Sequence, residues 1–484
     1  MTLPPTPGTA LSNEQVAQQV HHTLAPLGAV SLDADLPKEI TIGRVRRRGA
    51  IDTDDVRMLS LVDVDGVLLW EDGPIRPSIS GVRRAGPGQR LAGASLTTGD
   101  VVAQVKYVKP LGVNDILDKL QQLDGSLTPE AAAPKPQPGQ PPPPRAASTR
   151  PGAQLLSYDV NTWAATPIDA VPAGGPILLL IHGTFSNTGN LVNELKGHPT
   201  FAAICGRYAH VLGFDHFTVS RTPVVNAAEL ARLFDGCKVS VDIVCHSRGG
   251  LVARWFVEML DPFRTRKVRI VFVGCPLQGT SLADPASLRH GINLMTNIGK
   301  ALGAGATLVP FVQAASGLIQ IVSAIGSVAG RSPLVDAGIG LLPGIGAMSR
   351  IGNNAELNAL NYGASANRDN YFAVSSSFTP SGSGWQFCKL FNKIAGAAAE
   401  YLVFEQENDL VVDTSSMTHF VFGPSPNVKN QSQFCMFDGN DHVHHTSYFR
   451  EARTIDFIDH ALDKPTTYMK AVTYKQKNPA PPAP

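Results

Sequence analysis

The 484-residue sequence lacks an excess of charge of either sign. Lys and Arg together number 41 and Asp and Glu number 40, which gives a formal net charge of +1. A chain without net charge has no general electrostatic attraction to nucleic acid or to an anionic membrane. One basic cluster at 44–48 (RVRRR) is more simply interpreted as the solvated edge of a strand. We therefore expect no nucleic-acid partner.

Cysteine motifs are also missing. The six cysteines, at positions 205, 237, 245, 275, 388 and 435, have no C-x-x-C spacing, so the pattern predicts neither a zinc site nor a disulfide scaffold. Asp441, His442 and His444 are metal-ligand types that lie close together, but no second group of ligands accompanies them in the sequence. We expect no metal and no cofactor.

No secretory signal is recognisable at the start of the sequence. The stretch MTLPPTPGTALSNEQV has neither a basic segment nor an apolar core. The default expectation is a reducing, cytoplasmic setting, in which free thiols persist. Export by a non-classical route stays open as the alternative.

The first third of the chain has its own composition. Residues 1–30 are rich in Pro, Thr and Ala, and we expect a flexible tail there. Residues 31–127 contain short β-type runs, including a hairpin around Asp65-Gly66 and a helix over 114–125, and predict a small β-rich accessory domain. Residues 128–152 carry many prolines and no large apolar side chains, which is typical of an extended linker.

After the linker the pattern changes to alternating strands and helices. Apolar runs such as PILLLIHG at 176–183 are typical of parallel strands that are covered on both faces. Such alternation predicts a doubly wound, mostly parallel α/β sheet over 153–465, with a short C-terminal tail at 466–484.

The stretch VDIVCHSRGGLVARWF places Ser247 between a predicted strand and a predicted helix. A nucleophile on a strained strand-to-helix turn needs small residues two before and two after it, here Cys245 and Gly249. The beginning of the helix also leaves backbone N–H groups free to face an anion. Alone, a serine before a glycine pair is a weak signal and is more simply interpreted as a residue that only caps the helix.

Three stretches together, IHGTFSNT, VCHSRGGLVAR and VGCPLQGTSLAD, resemble the lipase and esterase branch of the α/β-hydrolase superfamily. This sequence has Cys245 and Cys275 where that group usually has Gly and Thr. The resemblance covers about residues 155–465. It implies a nucleophilic serine, followed along the chain by an acid and then a histidine.

The resemblance implies Ser247 as the nucleophile, Asp409 in ENDLVV as the acid and His445 as the base, with His444 as the alternative histidine. Leu410 replaces a glycine of the family pattern. The competing acids are those of the same stretch, namely Glu405, Glu407 and Asp413.

The remaining parts of such a site are backbone donors for an oxyanion. The resemblance implies the N–H of Arg248 and that of Thr184 or Phe185, which follow His182-Gly183 at the end of an apolar strand. The His182 ring itself is expected to be a structural hydrogen-bonding group.

A long insertion at about 285–360 separates two of the predicted strands. Its residues 301–330 carry no charge, and its glycines and Pro310 do not fit a clean membrane span. We expect a helical lid over Ser247 that suits an apolar acyl group. Peripheral membrane contact through this lid, or a helical subdomain with its own core, are the alternatives.

The predicted function is that of a serine hydrolase that cleaves carboxylic esters or lipids through an acyl-enzyme. Two alternatives stay open: a phospholipase-like effector or toxin that acts at membranes, and an interaction scaffold that has the fold without the activity. The β-rich N-terminal domain offers strand edges to a protein partner.

Overall fold

The computed structural model describes most of the chain, with gaps. The described residues are 10–31, 39–42, 56–72, 97–108, 113–127, 153–260, 268–284, 288–303, 311–329, 342–350, 354–362, 370–379, 407–419, 433–439 and 442–463. Three predicted segments, the basic cluster at 44–48, the linker at 128–152 and the tail at 466–484, lie outside them.

The N-terminal part contains a small antiparallel sheet. Its strands are β1 (Val30–Ser31), β2 (Glu39–Ile42), β3 (Val56–Val64), β4 (Val67–Asp72) and β5 (Thr97–Val108), in the order β1-β5-β3-β4 with β2 also on β5. The predicted hairpin is confirmed, because Asp65 and Gly66 join β3 to β4 with φ of 52° and 87°. Two positive φ values suit the right-handed twist of a hairpin.

Two helices flank this sheet, α1 (Asn13–Leu24) and α2 (Val113–Leu127). The helix predicted at 114–125 is therefore confirmed. The expectation of a flexible tail is wrong for α1, which begins with a capping box formed by Ser12 and Gln15. Its apolar side chains repeat with helical spacing and are buried: Val16, Val20 and Leu24.

In the larger sheet the described residues form eight strands. They are β6 (Ala153–Tyr158), β7 (Ala165–Ile168), β8 (Ile177–Ile181), β9 (His210–His216), β10 (Val241–His246), β11 (Val268–Val273), β12 (Tyr371–Ser376) and β13 (Phe434–Phe437). The spatial order is β13-β12-β11-β10-β8-β9-β6-β7, and the six strands from β9 to β13 along this order run parallel. The predicted doubly wound, mostly parallel sheet is confirmed.

Helices cover both faces of this sheet and produce two apolar clusters, one on each side. They are α3 (Thr188–Leu195), α4 (Pro199–Cys205), α5 (Pro223–Leu233), α6 (Gly249–Arg254, continued by a π-type turn at Trp255–Leu260) and, near the C-terminus, α11 (Ala452–Asp463). The chain runs from β8 outward to β9 and then returns to β10 on the other side of β8. Loops that follow β8 and β10 therefore meet where the winding reverses, and ligands bind at such points in open α/β sheets.

The described residues between β11 and β12 form four α-helices: α7 (Leu288–Leu302), α8 (Phe311–Ala329), α9 (Pro343–Gly346) and α10 (Ala355–Tyr362). In the part of the chain that the structure describes, no helix combines the length and the apolar character that a membrane span needs. One of the two apolar clusters includes both the insertion and the N-terminal part, since Leu318 of α8, Leu59 of β3 and Leu120 of α2 all belong to it.

Side chains of α7 bond to the edge strand β4. Asn297 accepts from the N–H of Leu68 at 2.9 Å and donates to its carbonyl at 2.8 Å. Asn293 accepts from the N–H of Trp70 at 2.9 Å, and the indole N–H of Trp70 donates to Thr296. These bonds satisfy edge groups of β4 within the chain. The β-rich part is therefore packed against the insertion.

Candidate active site

Ser247 lies directly after β10 with φ of 51°, in the left-handed region that non-glycine residues rarely adopt. Its N–H donates to the carbonyl of Val273 at 3.0 Å. A Cβ added at Gly183 would stand 2.7 Å from the Ser247 Cβ, and one added at Gly249 would stand 2.6 Å from the Ile181 carbonyl. The strained turn thus depends on glycine at both positions.

Cys245 and Cys275, which depart from the family pattern, lie behind this turn. Both are fully buried, and the Cys275 thiol contacts the Cys245 carbonyl at 3.7 Å. A Cβ at Gly250 would come within 2.6 Å of the Cys275 Sγ. Both thiols are accommodated as small apolar groups, so neither departure disturbs the turn.

His445 and Asp409 form a buried pair. The Nδ1 of His445 donates to the Asp409 Oδ2 at 2.8 Å, and the His445 N–H donates to the Asp409 carbonyl at 2.9 Å. Asp409 has no exposed surface, and His445 is 3% exposed. Because the carboxylate occupies Nδ1, the Nε2 of His445 is the nitrogen left for a proton transfer.

The Asp409 carboxylate is held from two further sides. Its Oδ1 accepts from the N–H groups of Val411 and Val412 at 3.0 and 2.8 Å, and its Oδ2 accepts from the Tyr448 hydroxyl at 2.9 Å. Burial, together with the adjacent Asp409, raises the pKa of Tyr448, which keeps this hydroxyl protonated as a donor.

Leu410, the other departure from the family pattern, has φ of 82°. The family's glycine would adopt this conformation without strain, whereas leucine adopts it at a cost of about 1–3 kcal/mol. The Asn408 side chain accepts from the Leu410 N–H at 2.9 Å and holds the turn. The backbone of the acid turn is therefore the one that a glycine would favour.

The competing acids occupy other places. Glu407 is exposed, Glu405 lies outside the described residues, and Asp413 accepts from the N–H and hydroxyl of Ser281. Asp413 thus joins the acid loop to the loop after β11, and the structure gives it no bond to His445.

The alternative histidine, His444, contacts Phe378 and Thr446. Its ring packs edge-on against Phe378 with centroids 5.5 Å apart, and its Nδ1 meets the Thr446 hydroxyl at 3.2 Å. Burial lowers the pKa of His444 to about 4, so this ring is neutral at physiological pH. Of the two predicted histidines, the structure brings His445 to Asp409.

The predicted oxyanion donors differ in their bonding. The Phe185 N–H donates to the Thr218 hydroxyl at 3.2 Å. For the N–H groups of Thr184 and Arg248, no acceptor is found among the described residues. Thr184 and Arg248 are therefore the candidates with an available donor.

Two buried histidines support these loops through their rings. The His182 Nδ1 donates to the Gly183 carbonyl at 2.8 Å, and its Nε2 accepts from the His216 N–H at 3.1 Å. The His246 Nε2 donates to the His445 carbonyl at 3.0 Å. Burial lowers the pKa of both His182 and His246, which favours neutral rings in these structural roles.

Ser247 and His445 open on one apolar cavity with about 630 Å³ of space free of protein atoms, counted to include solvent at its opening. Among the described residues that line it, none carries a carboxylate, ammonium or guanidinium group. The insertion supplies much of the apolar wall, namely Leu288, Ile292, Met295, Phe311, Leu318, Ile345 and Met348. Such a cavity suits an apolar group next to a reactive centre.

Asp441 lies outside the described residues, and among the residues that are described no group of three or more His, Cys, Asp or Glu side chains is placed to hold a metal ion. Three contributors to the site were not among the predicted residues: Tyr448, His246 and Thr218. Tyr448 stands three residues after His445, and nothing in the sequence indicates its bond to Asp409. His246 stands directly before Ser247, but no spacing rule indicates its bond to the His445 carbonyl.

The strand order, the strained serine turn after β10 and the following acid and histidine define an α/β-hydrolase fold. A family model described as a domain of unknown function, DUF7379, matches residues 150–463. The chain belongs to the DUF7379 family.

Solved structures similar to this chain include two lipases. The mature form of the lipase BlEst2 from Bacillus licheniformis is 14% identical over 64% of this chain and 97% of its own, with a TM-score of 0.36. Lipase 1 from Pelosinus fermentans is 14% identical over 61% and 98%, with a TM-score of 0.35. A bromoperoxidase from Bacillus anthracis is 12% identical over 64% and 98%, with a TM-score of 0.29. No curated protein matches the sequence. Because these identities and TM-scores are low, the fold assignment rests on the strand order and the serine turn of this chain itself.

Proposed function

We propose that this protein is a serine hydrolase that cleaves carboxylic esters with an apolar acyl group. The observation that carries the proposal is that Ser247, on a strained turn, and His445, bonded to buried Asp409, line the same apolar cavity. A nucleophile, a base and an orienting carboxylate are the parts that acyl transfer requires.

In the proposed reaction, the Nε2 of His445 takes the proton of the Ser247 hydroxyl as the oxygen attacks the acyl carbonyl. Asp409 holds the imidazole through Nδ1 and stabilises its charged form. The N–H groups of Arg248 and Thr184 bind the oxyanion, each contributing about 3–4 kcal/mol by analogy with measured oxyanion donors. His445 then protonates the leaving alcohol, and water releases the acyl group by the reverse sequence.

The cavity wall supports an acyl group without charge. A carboxylate or ammonium on the acyl chain would enter a space where no described lining residue offers an opposite charge, and its desolvation would be costly. Helices α7 and α8 act as a lid in this proposal, because their side chains complete the wall above Ser247. Substitution of Ile292 by Trp, which fills part of this wall, should shift the preference among p-nitrophenyl esters towards shorter acyl chains.

Labelling with a fluorophosphonate probe tests the nucleophile. Wild type should label, with detergent added in a parallel sample to expose a covered site, and Ser247→Ala should not. Ser316→Ala is a matched control, because the Ser316 hydroxyl is buried in α8 and bonds only to the Val312 carbonyl of its own helix. Absence of labelling in wild type under both conditions would contradict the proposal and favour an inactive scaffold.

The membrane-acting alternative is separated by a second measurement. Hydrolysis of phospholipid in vesicles, but not of soluble short-chain esters, would favour a phospholipase-like effector. The ester hydrolase proposed here should act on both soluble short-chain and emulsified esters, and lose both activities in Ser247→Ala.

A further inference from the structure

Asp124 lies near the end of α2, in the N-terminal part of the chain, and has no exposed surface. Its carboxylate accepts from three successive backbone N–H groups: Thr218 at 2.8 Å, Val219 at 2.9 Å and Ser220 at 2.7 Å. The hydroxyls of Thr218 and Ser220 donate to it as well, at 3.2 and 2.7 Å. One buried carboxylate thus fixes the segment that follows β9, and hydrogen bonds to an ionised group are the strong ones.

This segment contacts the loop that carries the candidate oxyanion donor. A hydroxyl has one proton, and Thr218 gives its proton to Asp124, so its oxygen is oriented to accept from the Phe185 N–H. Phe185 has φ of 60°, an unfavourable conformation that needs support from its surroundings. Asp124 therefore orients the Thr218 hydroxyl. This hydroxyl in turn holds the peptide between Thr184 and Phe185 by accepting from the Phe185 N–H.

The other candidate oxyanion donor is the N–H of Arg248, whose side chain lies near the segment that Asp124 binds. The guanidinium of Arg248 is fully buried and interacts electrostatically with Asp124 and Glu356. Its Nη2 donates to the Arg221 carbonyl, just beyond the segment that Asp124 binds. The Arg248 side chain thus bonds to the residue that directly follows the segment held by Asp124.

We infer that Asp124 is a positioning residue, through which the N-terminal part sets the oxyanion side of the active site. The inference rests on the proposed function. Asp124 is not among the residues that line the cavity with Ser247. Asp124 orients the Thr218 hydroxyl, and this hydroxyl accepts from the Phe185 N–H. The Phe185 N–H is then occupied, and the Thr184 N–H is the donor of this loop that stays available for an oxyanion.

Variants of the 484-residue protein test the contacts from Asp124 through Thr218 to Phe185. Thr218→Val removes the hydroxyl but keeps the shape and the backbone bonds to Asp124, and Thr218→Ser restores the hydroxyl. Asp124→Asn keeps the size but loses the charge. Asp118→Asn is a matched control, since Asp118 is an exposed carboxylate on the same helix.

Two readouts are needed. We expect Thr218→Val and Asp124→Asn to lower kcat for a p-nitrophenyl ester by about 10- to 100-fold, because small displacements of a transition-state donor have effects of this size. KM should change by less than about threefold, since the oxyanion is absent from the ground state. Thr218→Ser and Asp118→Asn should stay close to wild type. Hydrogen exchange at the Phe185 amide should accelerate in Thr218→Val and Asp124→Asn only.

Wild-type kcat together with wild-type exchange in Thr218→Val and Asp124→Asn would overturn the inference, and so would a loss of kcat without faster exchange at Phe185. If Asp124→Asn does not fold, Thr218→Val alone decides, because its backbone bonds to Asp124 are intact. Failure of the proposed function is seen separately, as wild-type protein that neither labels nor hydrolyses. The exchange measurement needs no turnover, so in that case it reports only whether Asp124 and Thr218 hold the Phe185 amide.

Discussion

Asp409→Asn tests the assignment of the acid, because asparagine preserves the shape of the side chain and half of its bonds. The amide oxygen can still accept from the N–H groups of Val411 and Val412. The amide nitrogen, however, is a donor, and it faces His445 Nδ1 and the Tyr448 hydroxyl, where the carboxylate accepts at 2.8 and 2.9 Å. The change should therefore leave the acid turn folded and alter the hydrogen bonding of the imidazole.

The magnitude follows from the loss of the correct tautomer. With an N–H group facing Nδ1, the imidazole is favoured as the Nε2–H form, which has no lone pair to take the Ser247 proton. We expect kcat to fall by about 10³- to 10⁴-fold, or about 4–5.5 kcal/mol at 1.36 kcal/mol for each tenfold. KM should change little. The free energy of unfolding should fall by only about 1–3 kcal/mol, the cost of the disrupted buried hydrogen bonds.

The assay measures kcat and KM for a p-nitrophenyl ester and follows urea unfolding of the same samples. Asp413→Asn is the matched control, since Asp413 is the other buried acid of this loop but bonds to Ser281 and Arg350. It should lose stability and keep kcat within about tenfold. The reasoning is refuted if Asp409→Asn keeps kcat within tenfold of wild type. A large fall of kcat in Asp413→Asn alone would assign the acid to Asp413 instead.

Three further predictions concern other parts of the site. His445→Ala should remove nearly all ester hydrolysis, whereas His444→Ala should stay within about fivefold of wild type in kcat; the reverse result would reassign the base. Gly249→Ala should lower the free energy of unfolding by about 1–3 kcal/mol in urea titrations, because its Cβ would stand 2.6 Å from the Ile181 carbonyl; unchanged stability would contradict the close packing of the turn. Burial lowers the pKa of His246 in the folded chain, so the unfolded state binds the proton more readily, and stability is lost as the pH falls below about 6.5. His246 should contribute at most about 1.4 kcal/mol per pH unit to this loss; urea midpoints that do not fall between pH 7.5 and 5.5 would contradict it.

The strands of the larger sheet and the hairpin of the small N-terminal sheet were predictable from the sequence because their signals are local. Apolar runs bounded by turn residues predict the parallel strands, and Asp65-Gly66 predicts the hairpin. The candidate site was predictable for a related reason. Ser247 and His445 follow β10 and β13, and the C-terminal ends of parallel strands meet at one edge of the sheet. Asp409 stands in the motif ENDLVV.

Other features depend on contacts between distant segments, which no periodicity indicates. Asp124 appears in the sequence as one more acidic residue in an amphipathic helix, and only the fold reveals that it binds Thr218. The helix α1 is different, because a signal was present: Ser12 and Gln15 form a capping box, and the buried Val16 and Val20 are one helical turn apart. Most prolines and threonines of residues 1–30 precede this helix, and composition averaged over the whole stretch concealed the signal.

The packing of the N-terminal part also restricts how a substrate can reach Ser247. Helix α7 lines the cavity on one side and, through Asn293 and Asn297, bonds to the edge of β4 on the other. If α7 moved alone, the edge groups of Leu68 and Trp70 would lose these partners, at a cost of about 1–3 kcal/mol for each group that stayed buried and unpaired. An opening in which α7 and the small sheet move together keeps these bonds. The N-terminal part also contacts the segment after β9, through Asp124 of α2. In the proposed hydrolase, the N-terminal part therefore contacts both the insertion that lines the cavity and the segment behind the candidate oxyanion donors.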